Sequence, residues 1–372
     1  MLRGLQDFAW GQLLLWAAPY PRLARLLLRG MRAQTYECFR ASRCVVVKGG
    51  GFLHAFGGVS AAYYIWYQLF YLRLAQRLQK PVIVLPNSFG PFVGLTVRRQ
   101  IRAVLARCAF VAARESISAR ALEHVIGKPA SVYPDMAYYL APAAHEVGET
   151  ICRRYGVPIS QRRCVGITVR PWRFPGTQDP TGVFDRYIAS VVDLIQHLTA
   201  RGFHAVLVTH VAGPSAHEDD RIAIREVCSR LAGTEYSWVD FDADCRTLKA
   251  VYGCMDFVVG TRFHSVIFAQ GMGVPCLAIA YGGNKAMGIM HDMGLGDYVI
   301  PAERVDGPAL CARFDQLVKH ADEVRLCMQR YSSRARELRE EMLQQISSAL
   351  GLQADSPHDH TQEIQEGSAW TA

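Results

Sequence analysis

The chain has 372 residues, half of them hydrophobic, and its 41 Lys and Arg against 33 Asp and Glu give a formal charge of +8. This length exceeds one ordinary core and suits two α/β domains. The positive excess is diffuse, with no block of five like charges, so it favours anionic ligands or a membrane surface and gives no specific support to nucleic-acid binding.

The first segment, residues 1–34, interleaves basic and apolar residues. Its longest uncharged run, from Phe8 to Pro21, is too short to span a bilayer, and it lacks a clean signal-peptide cleavage site. We expect residues 1–33 to form a helical segment on the inner membrane surface, although they suit equally well a cover over the rest of the protein. On the membrane, the apolar residues would point into the bilayer and the arginines toward the lipid headgroups. The apolar residues are Trp10, Leu13, Leu14, Leu15 and Trp16, and the arginines are Arg22, Arg25, Arg29 and Arg32.

The cysteines are eleven in number, scattered, and never spaced as C-x-x-C. They are typical of small core residues in a reducing compartment. The sequence therefore predicts a cytoplasmic protein, peripheral at the inner face of the plasma membrane if residues 1–33 bind it.

Short β-branched runs alternate with helical windows from Cys44 onward. Strand candidates lie at 44–48, 81–86, 109–114 and 130–134, with helical windows near 59–79, 95–108 and 116–126. These elements predict a first Rossmann-like domain over residues 35–150. Residues 141–163 lose the β pattern and carry a GVP turn, which predicts the crossover between domains.

A second set of alternating elements predicts another Rossmann-like domain over residues 160–300. Its strand candidates are 164–170, 204–210, 236–240, 255–260 and 275–281, with helices near 183–201, 218–231, 245–253, 263–271 and 284–294. Residues 301–350 are predicted to be helical, and residues 351–372 to be a disordered tail. The predicted fold class is α/β, with two Rossmann-like doubly wound domains facing across a cleft, as in B-type glycosyltransferases.

In such sheets, ligands bind beyond the carboxyl ends of the strands. Four strand ends carry glycines or cations: residues 48–58, 113–116, 168–173 and 260–265. Glycine N–H groups approach a sugar or an anion closely, although GGG after a strand is more often a plain tight turn. The predicted cleft-lining or acceptor residues are Gly49, Gly50, Gly51, His54 and Arg170.

The motif GTRFHS, residues 260–265, is the strongest of these signals. If Thr261 caps a helix, Arg262 and His264 fall in its first turn, where free N–H groups and the helix dipole favour negative charge. Cations at this end are unfavourable unless an anion is near, so the pattern indicates a ligand. The alternative is a surface arginine and a satisfied core histidine. Lys285 follows the next strand and Arg114 ends a strand of the other domain, which predicts a cleft for a small, multiply charged substrate.

Several other chemistries lack their motifs. The sequence has no G-x-x-x-x-G-K-[ST], no G-x-G-x-x-G opening a helix, no H-E-x-x-H and no G-x-S-x-G. The histidines show no metal-ligand spacing, so no metal site is predicted. Asp135, Asp219 and Asp220 stand near strand or helix starts, where carboxylates cap helices or orient cations, and Asp135 is alternatively a residue that lines the cleft.

Six stretches in this order resemble the polysaccharide pyruvyl transferase family over about residues 40–300: VKGGGFLH, SFGPF, ARESIS, YPDMAYY, GITVRPW and GTRFHSVIFAQGMGVPCLAIAY with a later lysine. The resemblance implies transfer of pyruvate from phosphoenolpyruvate onto sugar hydroxyls of an exopolysaccharide or lipid-linked glycan precursor. Phosphoenolpyruvate is then a co-substrate, and no cofactor is expected. The resemblance implies donor-binding positions at Arg114, Arg262, Phe263, His264 and Lys285, with His264 and Arg262 catalytic. It also implies that residues 160–300 form the donor side and residues 35–150 the acceptor side.

The resemblance has one main departure. Family members usually begin with a strand and an N-x-G-D type loop, whereas this chain begins with the basic apolar segment, so the first domain is expected to lack its first strand. Two alternatives stay open: a nucleotide-sugar glycosyltransferase of the same architecture, with a ribose-binding carboxylate from residues 213–220, and a non-catalytic sugar-binding remnant.

Overall fold

The computed structural model describes residues 2–242 and 244–352. The strands are β1 (Val45–Val47), β2 (Leu53–Phe56), β3 (Val82–Asn87), β4 (Phe89–Val93), β5 (Phe110–Ala113), β6 (Ser131–Val132), β7 (Cys164–Thr168), β8 (His204–Val208), β9 (Tyr236–Val239), β10 (Phe257–Gly260), β11 (Cys276–Ala280) and β12 (Val299–Pro301). The helices are α1 (Leu2–Ala17), α2 (Pro21–Leu27), α3 (Met31–Ala41), α4 (Ala61–Gln68), α5 (Phe70–Arg77), α6 (Val97–Leu105), α7 (Ser116–Ile126), α8 (His145–Arg154), α9 (Pro180–Ala200), α10 (Asp220–Cys228), α11 (Cys245–Gly253), α12 (Phe263–Gly271), α13 (Lys285–Asp292), α14 (Gly307–Lys319) and α15 (Ala321–Ala349).

The first sheet is parallel, with strand order β1-β3-β5-β6. Its register pairs Val46 with Ile83 and Ala112 with Ser131. The apolar residues of the central strand β3 are largely buried, as expected for a strand covered on both faces, whereas Val46 of the edge strand β1 is 55% exposed. Within the described residues no strand precedes β1, as expected from the atypical start. The small parallel sheet formed by β2 and β4 was not predicted, because both strands interrupt stretches rich in glycine and proline.

The second sheet is also parallel, with strand order β12-β11-β10-β7-β8-β9. Every residue of β7, β8, β10 and β11 is buried. From β7 the chain moves outward through β8 and β9, and from β10 it moves the other way through β11 and β12. The order therefore reverses between β7 and β10, and the crevice beyond their carboxyl ends is where such a sheet binds ligands.

Helices α8 and α15 lie outside the two sets of alternating strands and helices, and α15 falls within residues 301–350, which were predicted to be helical. The crossover predicted over residues 141–163 contains α8, whose buried Gly148 lies against the backbone of Ala250 in α11. Helix α15 returns to the first sheet, where Met342 packs in a cluster with Phe110 and Tyr133. Helix α15 contacts β5 as well as α12 and therefore ties the two halves together, whereas α8 packs on α11 of the second half. The predicted disordered tail, residues 351–372, lies outside the described residues from position 353 onward.

The N-terminal helices pack on α5 and expose part of their apolar surface. Leu14 and Leu15 are buried in a cluster with Tyr36 and Leu74, whereas Leu13 and Trp16 are 45% and 58% exposed. The expectation that all of these α1 residues face one way was wrong, because a helix separates successive residues by about 100°. None of the described helices has the length and apolar content needed to cross a bilayer.

Candidate functional site

The GTRFHS motif joins β10 to α12. Gly260 ends the strand, and a Cβ there would lie 2.6 Å from Ser265 Oγ, so only glycine lets the helix approach this closely. Arg262, not Thr261, is the residue before the first helical turn, and the Thr261 hydroxyl instead bonds the Tyr187 hydroxyl at 2.9 Å. The capping role expected of Thr261 was therefore wrong, and His264 is the second residue of the helix.

The Arg262 side chain is neutralised by protein carboxylates. Its Nε donates to Asp220 at 2.7 Å and its Nη1 to Glu218 at 2.8 Å, and the side chain is 7% exposed. Arg262 lines the crevice, but most of its N–H donors are already used. The inference that its charge requires a ligand anion was wrong, because Asp220 and Glu218 supply the negative charge.

Four side chains meet where the carboxyl ends of the two sheets face each other, and we call Arg114, Asp135, His264 and Lys285 the cross-sheet cluster. Arg114 follows β5 and Asp135 follows β6, and their side chains form a buried ion pair of 2.7 Å. Lys285 begins α13 and places Nζ 3.7 Å from Asp135 and 3.0 Å from His264 Nε2. The structure thus brings together three of the predicted donor residues around Asp135.

Contacts between α7 and α13 hold the cross-sheet cluster in place. The Ser116 backbone N–H and hydroxyl donate to Asp292 at 2.6 and 2.5 Å. The Asn284 side chain donates to the Phe89 carbonyl at 3.1 Å. Because Asn284 precedes Lys285, these bonds fix the position of the ammonium group relative to the first sheet.

The surroundings shift the pKa values of all three titrating members of the cluster. Desolvation by the cleft walls, followed by the charge of Lys285, lowers the pKa of His264 to about 4. Burial, followed by the charge of Arg114, lowers the pKa of Lys285 to about 7. Burial opposes ionisation of Asp135, but the charges of Lys285 and Arg114 outweigh it and lower the pKa of Asp135 to about 2. At neutral pH, His264 is therefore uncharged and accepts a hydrogen bond from Lys285 at Nε2.

The predicted glycine loop lies beside this cluster. A Cβ on Gly49 would meet the Pro86 carbonyl oxygen at 2.9 Å, and one on Gly51 would lie 3.3 Å from Arg114 Nη2. A Cβ on Gly50 would lie 3.4 Å from the Asn87 side chain. His54 turns back on the loop, with Nδ1 2.8 Å from the Gly51 carbonyl oxygen. Only Gly49 is therefore required by close packing on the end of β3, while Gly51 borders the arginine and Gly50 leaves room for a side chain.

Arg170 lies at the end of β7, away from the cross-sheet cluster. Its guanidinium stacks 4.7 Å from the Trp172 ring and 4.2 Å from the Tyr281 ring, and it donates to Glu218 at 3.1 Å. Its buried Nε has no partner among the described residues. Glu218 thus bridges Arg170 and Arg262, which places both arginines in one network along the switch between β7 and β10.

A small cavity of about 200 Å³ opens at this position. Its lining includes Arg262, Phe263, His264, Tyr281 and Lys285, together with His210. Sequence reasoning missed His210, although it follows β8 and the strand-end rule could have found it. Its Nδ1 is 3.0 Å from the Tyr252 hydroxyl, and burial followed by nearby positive charge lowers the pKa of His210 to about 3. The cavity therefore offers neutral imidazoles, an ammonium and aromatic rings.

No group of three or more metal-ligand side chains is found in the part of the chain that the structure describes. All eleven cysteines are free.

Solved structures with a similar fold are B-type glycosyltransferases and related sugar-nucleotide enzymes. The Staphylococcus aureus (S. aureus) MnaA structure with UDP matches with a TM-score of 0.54 at 13% identity, over 96% of this chain and 84% of that one. The E. coli trehalose-6-phosphate structure bound with UDP-2-fluoro glucose matches with a TM-score of 0.52 at 11% identity, over 91% and 82%. Two facing parallel sheets with a crevice at the strand-order switch define a glycosyltransferase-B-like fold.

The family model described as polysaccharide pyruvyl transferase matches residues 16–283. This chain belongs to the polysaccharide pyruvyl transferase family. It is also 23% identical over 279 residues to the amylovoran biosynthesis protein AmsJ of Erwinia amylovora, covering 73% of this chain and 66% of that protein's length.

Proposed function

We propose that this protein transfers pyruvate from phosphoenolpyruvate onto two hydroxyls of a sugar in an exopolysaccharide or cell-surface glycan precursor, forming a pyruvate ketal. The observation that carries the proposal is the cross-sheet cluster. Arg114 and Lys285 share the single carboxylate of Asp135, so the cluster keeps an excess of positive charge beside a histidine in a confined cleft. This excess suits a small ligand carrying a carboxylate and a phosphate. Arg262 supports this site by holding the loop before α12, since its own charge is already paired.

The proposed reaction begins with proton transfer from His264 to the methylene carbon of phosphoenolpyruvate. A sugar hydroxyl adds its oxygen to C2 and loses its proton, while the methylene becomes a methyl group. The C2–O bond to phosphate then breaks, and a second hydroxyl adds to C2 and loses its proton to close the ketal. Of the two hydroxyl protons, one restores His264 and the other leaves on the phosphate. The products are the ketal and inorganic phosphate, so no oxidant or reductant is needed.

The protonation state of His264 follows from ligand charge. In the empty site its pKa of about 4 leaves it neutral, and its Nε2 accepts from Lys285. A bound dianion or trianion favours the charged forms of both groups and raises both pKa values. The donor itself therefore prepares His264 to act as the acid.

The nucleotide-sugar alternative needs a free carboxylate for ribose hydroxyls. The candidates in residues 213–220 are engaged: Glu218 and Asp220 bind Arg262, and Asp219 caps α10 and binds Arg221 at 2.7 Å. These contacts count against a nucleotide-sugar donor. The proposal also includes contact of residues 1–33 with the inner membrane surface, where a lipid-linked acceptor would be within reach.

A thermal-shift titration tests the donor. Phosphoenolpyruvate is expected to raise the melting temperature saturably, because a ligand that binds the native state stabilises it. Pyruvate and phosphate each supply one of the two anionic groups and should shift it less. A shift with UDP-glucose and none with phosphoenolpyruvate would favour the glycosyltransferase, and no shift with either would favour the non-catalytic remnant.

Phosphoenolpyruvate binding is expected to take up protons at about pH 8, mainly at Lys285. Its pKa in the empty site is about 7 and rises in the complex, so affinity is full below that value and declines as pH rises above it. Calorimetry in two buffers with different ionisation enthalpies measures the uptake. Lys285→Arg is the matched variant, because arginine stays charged and should bind the donor without this uptake. Uptake unchanged in Lys285→Arg would assign the proton to another group.

A further inference from the structure

The exposed apolar side chains of this protein are concentrated at its N-terminal end. Of 21 large apolar residues exposed among the described residues, 14 lie within the first 95 positions, about a quarter of the chain. Surface apolar residues scattered singly need no explanation, but a concentration of this kind marks an interaction surface. The N-terminal face, as we call it, carries five of them on or beside α1, α2 and α3: Leu13, Trp16, Tyr20, Leu26 and Met31.

These residues are held outward by helices that are firmly packed on their other side. Tyr36 is 1% exposed, and its hydroxyl donates to the Ala18 carbonyl at 2.8 Å. Arg77 Nε donates to the Leu15 carbonyl at 2.8 Å. The exposure of Leu13 and Trp16 is therefore a property of the folded surface and does not result from loose packing of α1.

The charge of the same segment is strongly positive. Residues 1–33 contain five arginines and one acidic residue, Asp7. Arg25 forms an ion pair with Glu37 at 2.8 Å, whereas Arg22 and Arg29 are exposed and have no ion-pair partner among the described residues. Exposed apolar and aromatic residues interleaved with unpaired arginines match an anionic lipid surface, since the apolar groups insert and the cations meet the headgroups.

A groove of about 490 Å³ opens onto this face between α1, α3, α4 and α5. Its wall is formed by Trp10, Trp66 and Phe70, and its mouth by Met31, which is 81% exposed. The Arg32 guanidinium lies 4.7 Å from the centre of the Trp10 ring at the same mouth. The aromatic wall suits a hydrocarbon chain. Asp7 also lines the groove, so Arg32 is the groove residue that would meet an anionic headgroup.

We infer that the N-terminal face binds an anionic phospholipid bilayer and that the groove takes one acyl chain of a lipid from it. The inference rests on the membrane contact proposed above and is independent of the donor chemistry. The arginines meet the headgroups, the exposed apolar residues enter the interface, and Arg32 holds the phosphate of the lipid whose chain occupies the groove.

Vesicle flotation tests the surface. The full chain is expected to float with phosphatidylcholine vesicles that contain phosphatidylglycerol, and weakly or not at all with phosphatidylcholine alone. Arg22→Glu with Arg29→Glu should reduce partitioning by at least roughly 25-fold, because each arginine near the surface contributes about fivefold. The matched control is Arg330→Glu with Arg336→Glu on α15, which makes the same change in net charge.

The apolar contribution has its own matched pair. Leu13→Glu with Leu26→Glu should abolish flotation, whereas Leu326→Glu with Leu343→Glu on α15 should not, although Leu343 is 43% exposed and Leu13 45%. An unchanged thermal shift with phosphoenolpyruvate shows that each variant is folded and that its donor site is intact. Equal loss in the control pairs would overturn the inference.

Quenching by acyl-chain-brominated phosphatidylglycerol tests the groove. In a Trp16→Phe, Trp370→Phe background, the remaining tryptophans are Trp10 and Trp66 at the groove, and Trp172 and Trp238 near the second sheet. Emission is expected to fall on vesicle binding. If the protein floats with the vesicles but its emission is not quenched, the inference that a lipid acyl chain occupies the groove is wrong. Equal flotation with neutral vesicles would leave membrane contact standing and overturn the anionic-lipid inference, and no flotation at all would overturn both.

Discussion

His264→Gln is expected to reduce pyruvyl turnover by about two to four orders of magnitude while leaving phosphoenolpyruvate binding nearly unchanged. The acid role is lost because an amide does not transfer a proton. Binding is retained because Arg114 and Lys285 carry the charges that meet the donor. The glutamine oxygen is chosen because it can still accept the hydrogen bond that Lys285 gives to His264 Nε2 at 3.0 Å.

The measurement pairs phosphate release in the presence of acceptor with calorimetric donor binding. His320→Gln is the control, since His320 lies on the surface before α15 and contacts Glu323 at 3.1 Å. Equal losses in binding and turnover would make His264 a donor-binding group and remove it from the proton-transfer step. Normal turnover would remove it from the mechanism.

The positions of the chemically important strand ends could be predicted from the sequence, but their ion pairs could not. Short apolar runs and the crossover rule place Arg114, His264 and Lys285 at carboxyl ends of parallel strands, and the fold has them there. Asp135 and Asp220 were expected to cap helices or orient cations, with Asp135 also a candidate for lining the cleft, but the sequence did not show which arginine each would bind. Which carboxylate neutralises which arginine depends on how two sheets are docked, and periodicity carries no information about docking.

The N-terminal segment shows the same limit. Its composition predicts an amphipathic helix, but the direction that each residue faces depends on where α5 lies. Leu14 and Leu15 were grouped with Leu13 and Trp16 because all are apolar, whereas the structure buries the first pair and exposes the second. Sequence composition therefore indicated an amphipathic segment but did not show which apolar residues are buried and which are exposed.

Arg262→Met is expected to destabilise the fold by about 3–5 kcal/mol, because it leaves a carboxylate buried without its cation. Asp220 is fully buried, and Arg262 donates to it at 2.7 Å. The other Asp220 oxygen accepts from the backbone N–H groups of His210 and Val211 at 3.2 and 2.9 Å. Loss of the arginine therefore also disturbs the loop that presents His210 to the cavity.

Asp220→Asn should restore part of this loss in the double variant, since the amide removes the unpaired charge and its oxygen still accepts the two backbone N–H groups. Urea unfolding of the wild type, both single variants and the double variant measures the coupling, and Arg225→Met on the exposed face of α10 is the control. If Arg262→Met has normal stability but loses the thermal shift caused by phosphoenolpyruvate, Arg262 is a donor-binding residue. A large loss of stability recovered by Asp220→Asn would instead identify Arg262 as the residue that holds the β8 and β10 strand ends together, so that the cations available to the donor are Arg114 and Lys285.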